Sequence, residues 1–343
     1  MFYQKKKKKF IFRKKMVRLI EIAQKTGCSI GTISQVLNPG SKSTIRVSEK
    51  TKKHVIEVAQ QMGYRPNRGA QFLKRGHIPE IGIFLPSFNN DLVLNLIKGC
   101  SNAANEAGFA LSYFFDLSQK CFASFLEEAT KKRNCGLVTY PRFELDKKTA
   151  QLLWNYKKSG GKVVFIESSG PEIPPLLPEL DRVFIDDRKG GKIVAEHLLE
   201  MQCTNFTVVG KYRPRVESFI KTVEAAGYQC KHFEENDNIN DILTSTSSDK
   251  RGIFCTLDTT AGKIHTSLLL KGEIPGKNTL LCGYDCLNAM QELTPSLTSV
   301  RQPFFEAGNA AVKMLIDLIY GKKVKDALFE PQLIKRETTL GIK

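Results

Sequence analysis

RLIEIAQKTGCSIGTISQVLN, residues 18–38, carries two short helical patterns separated by a glycine. Leu19, Ile22 and Ala23 recur at helical spacing, and Gly27 stands where a left-handed residue ends such a helix. Ser29 is placed to cap a second helix, whose inner stripe is Thr32, Ile33, Val36 and Leu37 beside polar Ser34 and Gln35. Two short helices joined by a tight turn containing glycine make a helix-turn-helix, and the second helix of such a pair reads a DNA major groove. A third helix follows from a Ser48 cap, with Val55, Val58, Ala59 and Met62 on one face and Gly63 at its end.

Helix-turn-helix pairs also occur as plain packing units, so charge has to decide between the two readings. Residues 1–15 hold eight Lys/Arg and no acid, and residues 16–78 hold eleven Lys/Arg against Glu21, Glu49 and Glu57. The first 78 residues thus carry all but one unit of the chain's formal charge of +17. A basic module joined to a nearly neutral body points to a polyanion: nucleic-acid phosphates or an acidic membrane surface. Met16 directly precedes the first helix signal. Residues 1–15 are therefore expected to be a mis-assigned start, with a basic DNA-binding arm as the alternative.

Several classes are excluded by what is missing. The nine cysteines are scattered singly, without a Cys-x-x-Cys pair or a Cys/His cluster at zinc spacing, so no metal and no cofactor is expected. Dispersed thiols read as reduced and cytoplasmic. No apolar run reaches the roughly 18 residues of a membrane span, and Phe10-Ile11-Phe12 is too short for the apolar part of a signal peptide. His54, His77, His197, His232 and His265 stand apart from any Gly-x-Ser-x-Gly pattern, and neither Ser159-Gly160-Gly161 nor Gly190-Gly191 has the spacing of a nucleotide fingerprint. An enzyme is not expected.

Beyond residue 78 the chain alternates short β-branched runs with amphipathic helices. Strands are expected at 81–85, 110–115, 136–139, 163–166, 182–185, 206–209, 252–255 and 279–282, with helices such as 92–107 and 189–201 between them. Such alternation implies parallel sheets covered on both faces, with ligands at the C-terminal ends of the strands. The fold class is an all-α helix-turn-helix head plus an α/β body of two doubly wound parallel-sheet lobes.

Ile22-Ala23, Gly27, Ser29, Thr32-Ile33-Ser34, Val36-Leu37-Asn38, Val47-Ser48 and Gly63-Tyr64-Arg65-Pro66-Asn67 resemble the head motif of the lactose-repressor (LacI/GalR) family. The likeness continues through Asp186 to Gly191, Gly283-Tyr284-Asp285, the stretch 297–303 and Arg336-Glu337-Thr338-Thr339. It implies a body of periplasmic-binding-protein type and a homodimer on a pseudo-palindromic double-stranded operator. It implies base reading by Ile30, Gly31 and Gln35, with Ser29, Thr32, Ser34 and Asn38 on phosphates. Asn67, Ala70, Gln71 and Leu73 match a hinge that enters the minor groove, where an apolar wedge opens a base step. Gly69 should keep that hinge unfolded until DNA is present. The expected segments are a tail at 1–15, the head at 16–63, the hinge at 64–78, a first lobe at 79–184 and 302–324, and a second at 185–301 and 325–343.

Departures from the family pattern carry information. Gln35 stands where Arg is common; Arg reads guanine and Gln prefers adenine. Ile30 and Gly31 offer apolar contact or none, so an operator unlike the usual half-site is expected. Arg18 replaces a capping Thr, and residues 39–46 make a longer turn than is usual. In the body, Arg215, Asp285 and Gln302 match effector-binding positions, and Glu167, Phe88 and Asp258 are further candidates. A carboxylate and an arginine grip sugar hydroxyls through charge-assisted hydrogen bonds, so the resemblance implies a carbohydrate effector. Leu257 in place of Asn, and Phe88-Asn89-Asn90-Asp91 in place of the usual loop, favour one alternative, an effector-insensitive architectural DNA-binding protein; a second, a soluble ligand-binding protein without regulatory DNA contact, is opposed by residues 16–78 and by the missing signal peptide.

Overall fold

The computed structural model describes residues 17–37, 47–64, 78–87, 91–143, 145–167, 180–243 and 250–341. The chain divides into two compact units, residues 1–75 and 76–343.

In the first unit, helices α1 (Leu19–Thr26), α2 (Ile30–Leu37) and α3 (Glu49–Gln61) enclose a small core. Ile22, Ile33 and Val55, one from each helix, are fully buried, with Ala23, Val58 and Ala59 around them. Gly27 ends α1 at φ 69°, a left-handed conformation that a side chain would strain. Ser48 caps α3 by accepting the Thr51 backbone N–H. Where a capping Thr is usual, the Arg18 backbone N–H donates to Glu21 at 3.4 Å, so the acid three residues on supplies half of a capping box. Asn38, the turn at 39–46 and the hinge residues Asn67, Ala70, Gln71 and Leu73 lie outside the described residues.

The second unit opens with β1 (Ile78–Leu85), α4 (Asp91–Ala107), β2 (Ala110–Phe115), α5 (Gln119–Lys132), β3 (Asn134–Thr139), α6 (Lys147–Lys158), β4 (Lys162–Glu167) and β5 (Asp181–Ile185). The second lobe holds α7 (Asp187–Glu200), β6 (Asn205–Val209), α8 (Arg213–Ala225), β7 (Cys230–Phe233), α9 (Ile239–Leu243), β8 (Arg251–Cys255), α10 (Asp258–Leu270), β9 (Thr279–Tyr284), α11 (Asn288–Gln291) and β10 (Thr298–Arg301). The chain then returns as α12 (Phe304–Ile319) and β11 (Ala327–Phe329) before closing with β12 (Gln332–Ile334) and α13 (Glu337–Leu340).

The strands form two six-stranded sheets, in the orders β11-β5-β4-β3-β1-β2 and β12-β10-β9-β8-β6-β7. Every pairing is parallel except that of β12 with β10. In the first sheet, rings of α5 meet Phe84 of β1 on one face, with Phe84 and Phe122 centroids 4.8 Å apart. Helices α4 and α12 cover the other face. They approach so closely that a Cβ on Gly308 would stand 2.6 Å from the Leu96 carbonyl oxygen, and one on Gly99 would run into the Phe305 carbonyl. The second sheet is sandwiched likewise, between α7–α8 and α9–α10. Cover on both faces is why β3, β8 and β9 are buried at every residue and show no alternation.

The eight expected strands are all present; β7, β10, β11 and β12 were not anticipated, being three- and four-residue segments too short to show a period. One correction follows for the lobe boundaries. β11 pairs with β5, so the chain leaves the first lobe for the last time after Phe329, later than the expected 324. Ile185 is likewise the last residue of a first-sheet strand, one position beyond the expected limit. Leu328 at 61% exposure shows why β11 escapes notice: an edge strand needs no apolar run.

Candidate functional site

The N-terminal end of α2 is exposed. Ile30 is 49% exposed and Gly31 is also open, whereas Thr32, Ser34 and Gln35 are partly covered. Ser29 accepts the Thr32 backbone N–H at 3.1 Å, and the two hydroxyls lie 2.9 Å apart. Capping therefore places both hydroxyls at the positive end of a helix, where a phosphate is favoured.

In the second unit a cavity of about 420 Å³ lies between the lobes. Leu92, Val93 and Leu96 of α4 and Phe304 of α12 line it from the first lobe, with Ser87, Tyr140 and Arg142 from the loops after β1 and β3. The second lobe contributes Tyr212, Arg215, Leu257, Thr259, Asp285 and Leu287, and Gln302 sits at the crossover. The loops after the strands supply most of the polar groups, as parallel sheets require.

The floor is a buried polar network centred on Arg215, which is 3% exposed. Its Nε donates to Asp187 at 3.0 Å, Nη1 to the Thr256 carbonyl at 2.8 Å and Nη2 to Gln302 at 3.4 Å. The guanidinium also stacks 3.7 Å from the Tyr284 ring centroid. Burial works against this charge, but Asp187, Tyr284 and Asp285 outweigh it and raise its pKa. Asp187 also accepts the Tyr284 hydroxyl at 3.0 Å. Asp285 accepts from Gln302 Nε2 at 2.8 Å and lies 3.7 Å from Arg215. Burial pushes its carboxyl up to about 7, with Arg215 opposing.

Asp285 and Cys286 both have positive φ, 114° and 52°, unusual for residues with side chains. Asp258 holds this loop. Its carboxylate accepts the Leu287 backbone N–H at 2.7 Å and the Ser299 hydroxyl at 2.6 Å, and Ser299 in turn accepts the Cys286 N–H at 3.0 Å. Asp258 is fully buried and is not among the described residues that line the cavity; its bonds run to the loop after β9. Glu167 does not line the cavity either; it is buried at the end of β4, 3.7 Å from Arg182. In both cases the sequence could show a carboxylate beside a strand end, but not which way it turns. Phe88 lies outside the described residues. Arg215, Asp285 and Gln302 are brought together.

Residues 18–67 match the family described as bacterial regulatory proteins, lacI family, and residues 195–339 match the periplasmic binding protein-like domain. The chain thus carries a helix-turn-helix domain of the lacI type and a periplasmic-binding-protein-like domain. Among its relatives, the HTH-type transcriptional regulator RegA of Clostridium saccharobutylicum is 25% identical, over 93% of this chain and 98% of its own length. Two solved structures share the fold. The lac repressor dimer bound to operator and the anti-inducer ONPF has a TM-score of 0.66 at 21% identity, over 95% of this chain and all of that one. The transcriptional regulator CelR in complex with cellobiose has a TM-score of 0.65 at 20% identity, over 94% and 99%.

A chain built of these two domains is a DNA-binding transcription regulator with a ligand-binding body, and its cleft has members that the sequence reading missed. Arg142 donates to the Tyr140 hydroxyl at 3.2 Å and lies 5.5 Å from the Tyr212 ring centroid across the cleft. The available signal was its position, three residues past the C-terminal end of β3. Asp187 and Tyr284 stood within recognised landmarks, and only the fold shows them gripping Arg215. Among the described residues no helix is long and apolar enough to cross a membrane, and no group of three or more His, Cys, Asp or Glu could hold a metal. His197 and His265 are buried hydrogen-bond partners, of Thr339 and of the Pro295 carbonyl respectively.

Proposed function

We propose that the chain is a cytoplasmic, non-enzymatic regulator, most simply a repressor, that grips a pseudo-palindromic operator as a homodimer. Residues 16–63 form the head and 64–78 the hinge. In the head, Ile30, Gly31 and Gln35 face bases, while Ser29, Thr32, Ser34 and Asn38 hold phosphates. In the hinge, Asn67, Ala70, Gln71 and Leu73 enter the minor groove. Two-fold pairing places two heads one helical turn apart on DNA.

A small-molecule effector of carbohydrate class occupies the interlobe cleft and controls the heads. The observation that carries this reading is a cavity of about 420 Å³, room enough for a small sugar, whose walls come from both lobes and whose floor offers Asp285 and Gln302. A guest touching both lobes stabilises one lobe arrangement over another, which is what coupling to the heads requires. The complex of CelR with cellobiose supports the choice of class.

A second reading is favoured by one observation: Asp187, Thr256 and Gln302 already engage Arg215, which leaves that guanidinium little for a guest. It treats the chain as an effector-insensitive DNA-binding protein. Thermal unfolding against a sugar panel, paired with operator binding in the same solutions, separates the two. A stabilising sugar also shifts operator affinity if the cleft is regulatory. No shift in either measurement with any sugar would establish the insensitive form.

A further inference from the structure

The chemistry of the cavity wall narrows the guest beyond "carbohydrate". Each hydroxyl of a neutral sugar both donates and accepts, so a site that encloses such a sugar needs both functions around the ring. The lining supplies both through the hydroxyls of Ser87, Tyr140, Tyr212 and Thr259 and the Gln302 amide, but much of the wall supplies neither. Leu92, Val93 and Leu96 present a continuous aliphatic surface on α4, and Leu257 and Leu287 add to it from the opposite lobe. A hydroxyl pressed against such walls loses its water without a replacement partner, which is costly.

The charged lining is unbalanced in the other direction. Arg142 and Arg215 are donors only, and Asp285 is the single carboxylate among the described lining residues. Gln302 already occupies one oxygen of Asp285. Arg142 is fixed from both sides of the cleft, by Tyr140 of the first lobe and Tyr212 of the second, with ring centroids 5.6 and 5.5 Å from its guanidinium carbon. A planar donor fork held in this way is suited to an anionic oxygen pair, which accepts without donating. Burial also pushes Asp285 up to about 7, which lessens the negative charge a guest would meet.

We propose that the cleft selects a sugar derivative carrying a carboxylate or phosphate, with the C–H face of its ring against α4 and its anionic group on Arg142. This rests on reading the cleft as an effector site. Because Arg142 contacts Tyr212 across the cleft, an anion on its guanidinium also bears on the contact between the lobes.

The test is calorimetric titration of the full-length protein with matched probes: glucose, glucuronate and glucose 6-phosphate; ribose and ribose 5-phosphate; and inorganic phosphate alone. An anionic member is expected to bind at least about tenfold more tightly than its neutral counterpart, a step typical of a charge-assisted hydrogen bond. Arg142→Gln should remove that preference and Arg142→Lys, which keeps the charge but loses the fork, restore only part of it, with the melting curve of each unliganded variant checking that it is folded. The carboxylate and phosphate arms decide which anion the site takes. A neutral sugar binding as tightly as its anionic partner, or an anion preference unchanged in Arg142→Gln, overturns the proposal and leaves the effector reading standing. Inorganic phosphate binding as tightly as the sugar phosphates overturns the role of the apolar wall. If no probe binds, both the proposal and the effector reading fall.

Discussion

Asp285 is held at about 7 in the folded chain, against an ordinary value of 3.8, chiefly because it is buried. Between those limits the folded form keeps a proton that the unfolded chain releases. The stability this contributes is therefore complete at the acid end and is lost as pH climbs from about 4 to about 7. Asp285→Asn removes the titration, so the variant should gain on the parent as pH rises through that window. Paired denaturation curves would show a widening gap, and a gap independent of pH would contradict the assignment. At the other end of the chain, Gln35→Ala should cost roughly 1–3 kcal/mol on the preferred operator and relax preference at one base position. Selection from random DNA reads both the parent and the variant. Recovery of the common family half-site by the parent would remove Gln35 as the source of a changed specificity.

At the scale of elements, the contact between α4 and α12 sets how the first lobe is built. Gly99 and Gly308 let the two backbones meet, and α4 carries the aliphatic wall of the cleft on the same helix. Gly99→Ala drives a Cβ into the Phe305 carbonyl, and should destabilise the body by about 1–3 kcal/mol through overpacking. The measurement is the urea midpoint with the slope checked for constancy; a midpoint unaltered by the substitution would mean the helices separate freely. The helix signals themselves were readable, because Ser29, Ser48 and Gly27 act on their own neighbours. β10, β12 and α13 were not. β12 pairs with β10 through the backbone, and buried hydroxyls tie β10 to α13, with the Thr298 backbone N–H donating to Thr338 at 2.8 Å and the Thr298 and Thr339 hydroxyls 2.7 Å apart. The terminal motif Arg336-Glu337-Thr338-Thr339 could be recognised in the sequence, but its reason is this cross-chain bonding.

For the whole molecule, the division of charge is the governing fact. The first 78 residues, tail, head and hinge together, carry all but one unit of the net charge and bind DNA partly by releasing counterions, so raising salt from about 50 mM to about 200 mM should weaken operator binding on the order of a thousandfold. Fluorescence anisotropy across that range gives the slope, and a flat response would mean that phosphate contacts contribute little. The body, close to neutral, adds little to this term. Its part is the cleft, which neither lobe has alone: Arg142 and the α4 wall come from one, Arg215 and Asp285 from the other.

The sequence by itself determined the helix-turn-helix of the head and the parallel architecture of the body, because caps, glycine stops, β-branched runs and charge blocks act over a few residues at a time. It also brought Arg215, Asp285 and Gln302 into view. Only the tertiary structure decided what those residues do. Asp258 turned out to brace the loop, Glu167 to pair with Arg182, and Arg142 to stand in the cleft. Side-chain direction at a strand end depends on partners far along the chain, such as Thr256, Tyr284 and Gln302 around the Asp187–Arg215 pair, at separations of 41, 97 and 87 residues. No local pattern records them. The helix-turn-helix was legible because its physics is local; the cleft was legible only as a set of candidates because its physics lies between lobes.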